Sequence, residues 1–269
     1  MADLKMFSKP VVFTDFDGVL NAFPNDKLLR RGGVNKVMTW AKPDSPYVKM
    51  YDPEKAFHLD GNEKAHTPVG SWRIHWSSEL SDAMYALAVD GIVELWWLST
   101  WQPYCNQILD LMLGWDPMLV DVVTWYDPVT KWGRETGKWQ TIQRRVRIEC
   151  EENEPAPIVW IDDDECFEQR AQLLEELQPK APVLMVRPDY RIGISRRQWK
   201  LIDTFVHHPE QFDTVTFDME PTCRIYDIHH ASSLNELPWE DSRAERDEDL
   251  EFAKLIDTKA QPLFDEEYQ

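Results

Sequence analysis

Two aspartates, Asp15 and Asp17, stand two residues apart in Val11-Val12-Phe13-Thr14-Asp15-Phe16-Asp17-Gly18, where an apolar run gives way to a glycine. In an extended chain residues i and i+2 project from the same face, so both carboxylates enter one space. Paired acids at a strand end suit a hard cation, a covalent phosphoryl acceptor, or both. The plain structural use of the same residues is a turn, which Asp and Gly both favour. Partners placed at the same edge by other segments distinguish the two readings.

Such partners recur at predicted strand ends and helix starts. The apolar run Ile92–Leu98 is followed by Ser99 and Thr100, and Ile158–Ile161 by Asp162, Asp163 and Asp164, while Lys138 opens a predicted helix. Strand ends in one parallel sheet share an edge, and ligands of open α/β sheets bind there. Ser99 directly follows its apolar run and is preferred over Thr100. Lys131 is the competing lysine, and Arg134 is a further source of positive charge. If the strand ends at Ile161, Asp162 and Asp163 form the acidic pair; if it runs on to Asp163, Asp162 and Asp164 share a face.

The elements needed to position these residues follow from hydrophobic periodicity and breakers. From Ser78, taken as an N-cap, a helix is expected through Val89, then the strand Ile92–Leu98, a helix from Pro103 through Leu113 and the strand Leu119–Val123. A helix follows from Thr136-Gly137-Lys138, carrying Ile142, Val146 and Ile148, and then the strand Ile158–Ile161. A helix from about Cys166 to Leu177, the strand Val183–Val186 and a helix from Arg196 to Val206 complete the alternation. Alternating strand and helix predict an α/β fold, a Rossmann-like parallel sheet with helices on both faces.

Residues 21–77 break the pattern. Pro24, Pro43, Pro46, Pro53 and Pro68 punctuate short segments, of which Tyr47–Tyr51 and Trp72–Trp76 read as strands. The expectation is a β-rich, cap- or flap-like insertion that overhangs the site, between core segments 1–20 and 78–212. Residues 213–269 form an acidic C-terminal extension, with an edge strand at Val215–Phe217 and a short helix at Asp249–Ile256.

The ordered set Asp15 and Asp17, Ser99, Lys138, and Asp162 with Asp163 resembles the four motifs of the haloacid dehalogenase-like (HAD) phosphohydrolase superfamily, over about Val11 to Val206. The resemblance implies a HAD core in which Asp15 is the nucleophile, forming an aspartyl-phosphate. It implies Asp17 as general acid and then base, with its backbone carbonyl on the metal. Lys138 and Ser99 would stabilise phosphate charge, and Asp15, Asp17, Asp162 and Asp163 would hold Mg²⁺. A strand-end Ser or Thr followed by Trp is similar to a subgroup found in phages, actinobacteria and RNA-repair proteins. Trp101 and Trp132, in predicted loops near the motifs, are candidates for stacking on a nucleobase.

The chain has 269 residues, 43% of them hydrophobic, 13 Trp and a formal net charge of -19. That charge opposes broad adhesion to nucleic acid or anionic membrane, because phosphates are repelled at long range. A local groove built from Arg30, Arg31, Lys36 and Lys49 is the exception considered. Residues 236–269 hold 12 acidic and 4 basic residues and so much of the excess; they read as a solvated appendage able to meet a protein partner. Cys105, Cys150, Cys166 and Cys223 form no Cys-x-x-Cys pair, which predicts reduced thiols rather than a zinc or redox motif. Met1 to Pro10 lacks a signal-peptide pattern and no apolar run approaches a membrane span, so a cytoplasmic, soluble protein is expected.

The expected activity is Mg²⁺-dependent hydrolysis of a phosphomonoester, with a nucleotide or a nucleic-acid terminal phosphate as substrate. The alternatives are a small-metabolite phosphatase, a non-catalytic HAD-fold binding or assembly protein, and phosphoryl transfer to an acceptor other than water.

Overall fold

The computed structural model describes residues 7–221, except 25, 32, 44, 68–69, 103, 128–129, 131–136 and 152–154. Its strands are β1 (Val11–Thr14), β2 (Gly61–Thr67), β3 (Gly70–Trp76), β4 (Glu94–Trp97), β5 (Val120–Val122), β6 (Ile158–Ile161), β7 (Val183–Arg187) and β8 (Val215–Met219). Its α-helices are α1 (Asp26–Arg30), α2 (Val37–Trp40), α3 (Pro46–Met50), α4 (Ser78–Val89), α5 (Asp110–Leu113), α6 (Trp139–Glu151), α7 (Glu168–Glu176) and α8 (Arg196–His207).

Six strands form one sheet in the order β5-β4-β1-β6-β7-β8, with every neighbouring pair parallel. Counted by appearance in the chain, the order is the doubly wound 3-2-1-4-5-6, whose reversal point falls between β1 and β6. Both strands are buried along their whole length. Alternate residues therefore supply two separate cores. Val12, Leu95, Val159 and Leu184 enter one, which α4, α8 and the β2–β3 hairpin cover with Leu80, Met84, Ile202, Phe205, Trp72 and Ile74. Val11, Phe13, Ile158, Trp160 and Met185 enter the other, under Ile142 and Val146 of α6 and Leu174 of α7. The α/β sheet with helices on both faces, expected from the alternation, is the observed architecture.

Several boundaries differ from those expected, each for a local reason. The N-cap of α4 is Ser77, whose hydroxyl accepts the Leu80 N–H, so Ser78 is already helical. After Trp101 the chain makes a wide π-type turn over Cys105–Leu109 before α5 begins at Asp110. Of the three apolar residues expected on the helix after Lys138, Ile142 and Val146 are buried and Ile148 is 43% exposed. β8 pairs with β7 as the sixth strand, so the sheet continues past residue 212. The short helix expected at Asp249–Ile256 lies outside the described residues.

The 21–77 insertion is mixed rather than β-rich. Tyr47–Tyr51 was expected as a strand, but Pro46–Met50 is the helix α3: Ser45 caps its first turn through Tyr47 N–H and Pro46 sits at the first helical position. Proline is pre-organised there because its fixed φ is helical and its missing N–H would have had no partner. With the short turn Val34–Lys36 and α1 and α2, this half encloses its own apolar cluster of Leu28, Val34, Val37, Met50 and Ile192. The other half is the hairpin, in which Trp72–Trp76 is extended as expected. Among the described residues no helix is long and apolar enough to cross a membrane.

The wide turn carries an energetic consequence. Asp110 is fully buried, accepts the Trp97 Nε1–H at 2.7 Å through Oδ1 and has no partner at Oδ2. Burial pushes its carboxyl up to about 6, against the pull of the Trp97 hydrogen bond. The folded form thus binds a proton more readily than the unfolded chain, and stability falls as pH rises from about 4 through 6 and is level above. Two pKa units correspond to about 3 kcal/mol at most. Asp110→Asn keeps an acceptor for Trp97 and removes the charge. Denaturant titration should show the variant gaining stability relative to the parent between pH 4.5 and pH 8; a difference independent of pH would contradict this account.

Candidate functional site

β1 ends at Thr14, and Asp15 is the first residue beyond it, its N–H bonded to Ile161 O of β6. The chain then turns instead of staying extended, with Val19, Leu20 and Asn21 all donating backbone N–H to Phe16 O. Asp15 and Asp17 are therefore brought near each other by a turn, not by strand alternation. The turn requires Gly18 at φ +69, and a Cβ there would lie 2.2 Å from the Asp163 carboxylate. Only a residue without a side chain lets this loop approach the β6 end.

The sheet order places Asp162 beside Asp15, since β1 and β6 are neighbours and Thr14 pairs with Ile161. Carboxylate oxygens of Asp15, Asp162 and Asp163 lie within 4.8 Å of one another. Asp164 is outside this group. Lys138 Nζ donates to Asp15 Oδ2 and, at 2.7 Å, to Asp162 Oδ2. Asp162 Oδ1 accepts the N–H groups of Asp164 (3.0 Å) and Glu165 (2.6 Å), which fixes its rotamer at the start of the loop. Asp15 Oδ1 accepts the Phe16 N–H at 2.6 Å.

The electrostatics are unbalanced. Asp15 and Lys138 are 7% and 4% exposed and Asp162 is fully buried. Burial, opposed by Lys138 and reinforced by Asp162 and Asp17, pushes the Asp15 carboxyl up to about 7. Burial and the neighbouring Asp164 and Asp162 push Asp163 well above the usual carboxylate range. Burial disfavours charge on Lys138, but Asp15, Asp162 and Glu165 together hold its pKa well above that of an ordinary lysine. One ammonium group thus faces three carboxylates, and an all-oxygen donor set with excess negative charge suits a hard divalent cation.

Asp17 stands apart from the three-carboxylate group. Its oxygens accept Asn21 Nδ2–H (2.7 Å) and Trp101 Nε1–H (2.8 Å), so the side chain is aimed by two donors. Ser99 lies two residues beyond Trp97, which pairs with Thr14, so it occupies the same rim as Asp15. It is fully buried, and its Oγ accepts the Trp101 N–H at 3.3 Å, leaving its own proton to donate. Lys131, Arg134 and Trp132 lie outside the described residues.

Four functional neighbours were not singled out for these roles from the sequence. Glu165 accepts the N–H groups of Lys138 (2.9 Å) and Trp139 (3.2 Å) and pairs with Arg170 at 2.6 Å, which anchors the start of α6. Arg187 holds the Asp163 carbonyl. Asn21 links Asp17 to the hairpin by accepting the His75 N–H at 2.9 Å. Trp101 is the fourth: it is buried, edge-on to Phe16 and Trp72, so it cannot stack on a base and instead orients Asp17. Asp17-Gly18 was legible as a turn, but the contacts of Asp17 with Trp101 and of Glu165 with Lys138 span 84 and 27 residues of chain.

No protein-family model, curated protein or solved structure matches the chain.

Gly18→Ala should lose about 1–3 kcal/mol from the left-handed backbone alone, and more from the clash with Asp163. Gly33, at φ +83 with open space around it, is the control for strain without the clash. Chemical denaturation should rank Gly18→Ala clearly below Gly33→Ala; equal losses would mean that the loop does not press on Asp163.

Proposed function

We propose that the protein is a HAD-type phosphatase, a Mg²⁺-dependent hydrolase of phosphomonoesters that works through an aspartyl-phosphate. The observation that carries this reading is the meeting of Asp15, Lys138, Asp162 and Asp163 at the C-terminal ends of the two central strands. Asp15, Asp162 and Asp163, with the Asp17 carbonyl, are the residues that would hold Mg²⁺. When bound, Mg²⁺ supplies positive charge that screens the nucleophile and the phosphate oxygens.

The chain's own groups divide the remaining work. An Asp15 oxygen attacks phosphorus in line and the ester oxygen leaves. Asp17, steadied by Trp101 and Asn21, gives its proton to that oxygen and then takes one from the water that cleaves the acyl phosphate. Lys138 opposes the burial that favours protonation of Asp15 and neutralises a phosphate oxygen, while the Ser99 hydroxyl donates to another. Asn21 ties Asp17 to the insertion. The substrate we favour is a nucleotide or a nucleic-acid terminal phosphate, and a small phosphorylated metabolite is the alternative.

A Mg²⁺-dependent phosphate-release screen tests the activity. Asp15→Asn should lower turnover by roughly a thousandfold or more, the scale for loss of a covalent nucleophile. Equal rates in the two proteins would exclude Asp15 as nucleophile, and absence of turnover in both would favour a binding or assembly role.

Cation binding should also depend on pH. With Asp15 titrating near 7, it is mostly protonated at pH 6, and a cation must displace that proton. Apparent Mg²⁺ affinity measured by calorimetry should rise at least tenfold from pH 5.5 to 6.5, because the raised carboxyl of Asp163 adds to the effect of Asp15; a flat profile would exclude Asp15 from the cation site.

A further inference from the structure

A cavity of about 650 Å³ lies between the helical half of the insertion and the hairpin. Its polar lining consists of Asn35, His58, Asn62, Arg73 and His75, with Asp60 as the one carboxylate. Asp60 is already engaged, accepting the Ser78 N–H at 2.8 Å. Leu29, Val34 and Leu59 supply an apolar wall. The volume is in the range of small-molecule sites, where an apolar wall carries the ligand and a few polar groups orient it.

The charge around the opening differs from that of the chain as a whole. Pairing in the hairpin sets Asn62, Lys64 and His66 opposite His75, Arg73 and Ser71, so all six share the face turned away from Trp72 and Ile74. The shared face is shown directly by the Arg73 to Asn62 hydrogen bond (2.7 Å) and the Ser71 to His66 contact (2.7 Å). Every ionisable group on it is Lys, Arg or His, in a chain of net charge -19. Arg73 is exposed and, among the described residues, has no carboxylate within ion-pair distance. A guanidinium placed so is suited to bidentate binding of a phosphate. The basic residues first considered for a groove, Arg30, Arg31, Lys36 and Lys49, are not the ones that share this face.

One side chain bridges the Asp17 loop and the hairpin. The side chain of Asn21 contacts Asp17 at one end and the backbone of His75, a cavity residue, at the other. Asn21 thus joins the loop that carries Asp17 to the strand that carries the cavity residues Arg73 and His75.

We propose that the insertion cavity binds the remainder of a nucleotide substrate that carries a second phosphate, with Arg73 and His58 on that phosphate, Asn35 and Asn62 on polar edges, and the apolar wall on the flat or sugar portion. This rests on the phosphatase reading and names the class of its substrate. The same chemistry is offered by a free nucleoside bisphosphate and by the terminal nucleotide of an oligonucleotide.

Binding tests the inference without requiring turnover. Asp15→Asn protein with Mg²⁺ is titrated calorimetrically with adenosine 3′,5′-bisphosphate and with the 3′- and 5′-monophosphates, alone and combined with Arg73→Ala or His58→Ala. The bisphosphate should bind at least tenfold tighter than either monophosphate. Arg73→Ala should remove most of that gain and Arg73→Lys restore part of it, while monophosphate affinity changes less than twofold. Melting curves check that the variants are folded. A bisphosphate that binds no tighter than the monophosphates, or a gain that survives both substitutions, would overturn the proposal. Tighter binding of a phosphorylated oligonucleotide would assign the site to a polymer end; weaker binding, to the free nucleotide. Failure of wild-type protein to release phosphate from any of these would count against the phosphatase reading alone, leaving the binding result to stand.

Discussion

The ammonium group of Lys138 faces the carboxylates of Asp15 and Asp162, with Asp163 alongside, in a place from which water is nearly excluded. Removing Lys138 would leave the buried carboxylates of Asp15 and Asp162 without their counter-charge, and such charges are costly in a low-dielectric setting. Much of the surrounding structure serves to keep these groups together. Glu165 pins the start of α6 so that Lys138 reaches inward, Arg187 holds the Asp163 backbone, and the N–H groups of residues 164 and 165 fix Asp162. Gly18 allows the β1 loop to close on the same point.

The site lies where it does because of sheet topology. In the 3-2-1-4-5-6 order the connections from β1 and β6 diverge to opposite sides, which opens a crevice at their C-terminal ends. Asp15 and Asp162 each follow one of those two strands directly. Ser99 reaches the rim from the neighbouring strand β4. The insertion leaves from the same rim shortly after Asp17, and the Asn21 bridge ties its hairpin to the loop that carries Asp17.

Much of this was legible in the chain itself. The strand ends at Thr14 and Ile161 follow from short apolar runs stopped by acids, and the buried, non-alternating strands follow from a sheet covered on both faces. The reading failed where local signals compete. Tyr47-Val48-Lys49-Met50-Tyr51 alternates like a strand, but the Ser45-Pro46 start imposes a helix. Of the two tryptophans expected to stack on a base, Trp132 lies outside the described residues and Trp101 is a core residue instead, its large apolar ring buried against Phe16 and Trp72. For Trp101 the polar N–H was the informative part, and its acceptor lies 84 residues away in sequence.

The sequence by itself determined which residue types stand at each strand end and in what order, since these depend on neighbours within one or two turns of chain. The tertiary structure alone decided that Asp163 rather than Asp164 joins the carboxylate group, that Lys138 bridges Asp15 and Asp162, and that the basic residues of the hairpin share one face beside a cavity. Those outcomes depend on strand register, on loop closure over Gly18 and on packing between segments far apart in the chain. Short-range patterns constrain none of these.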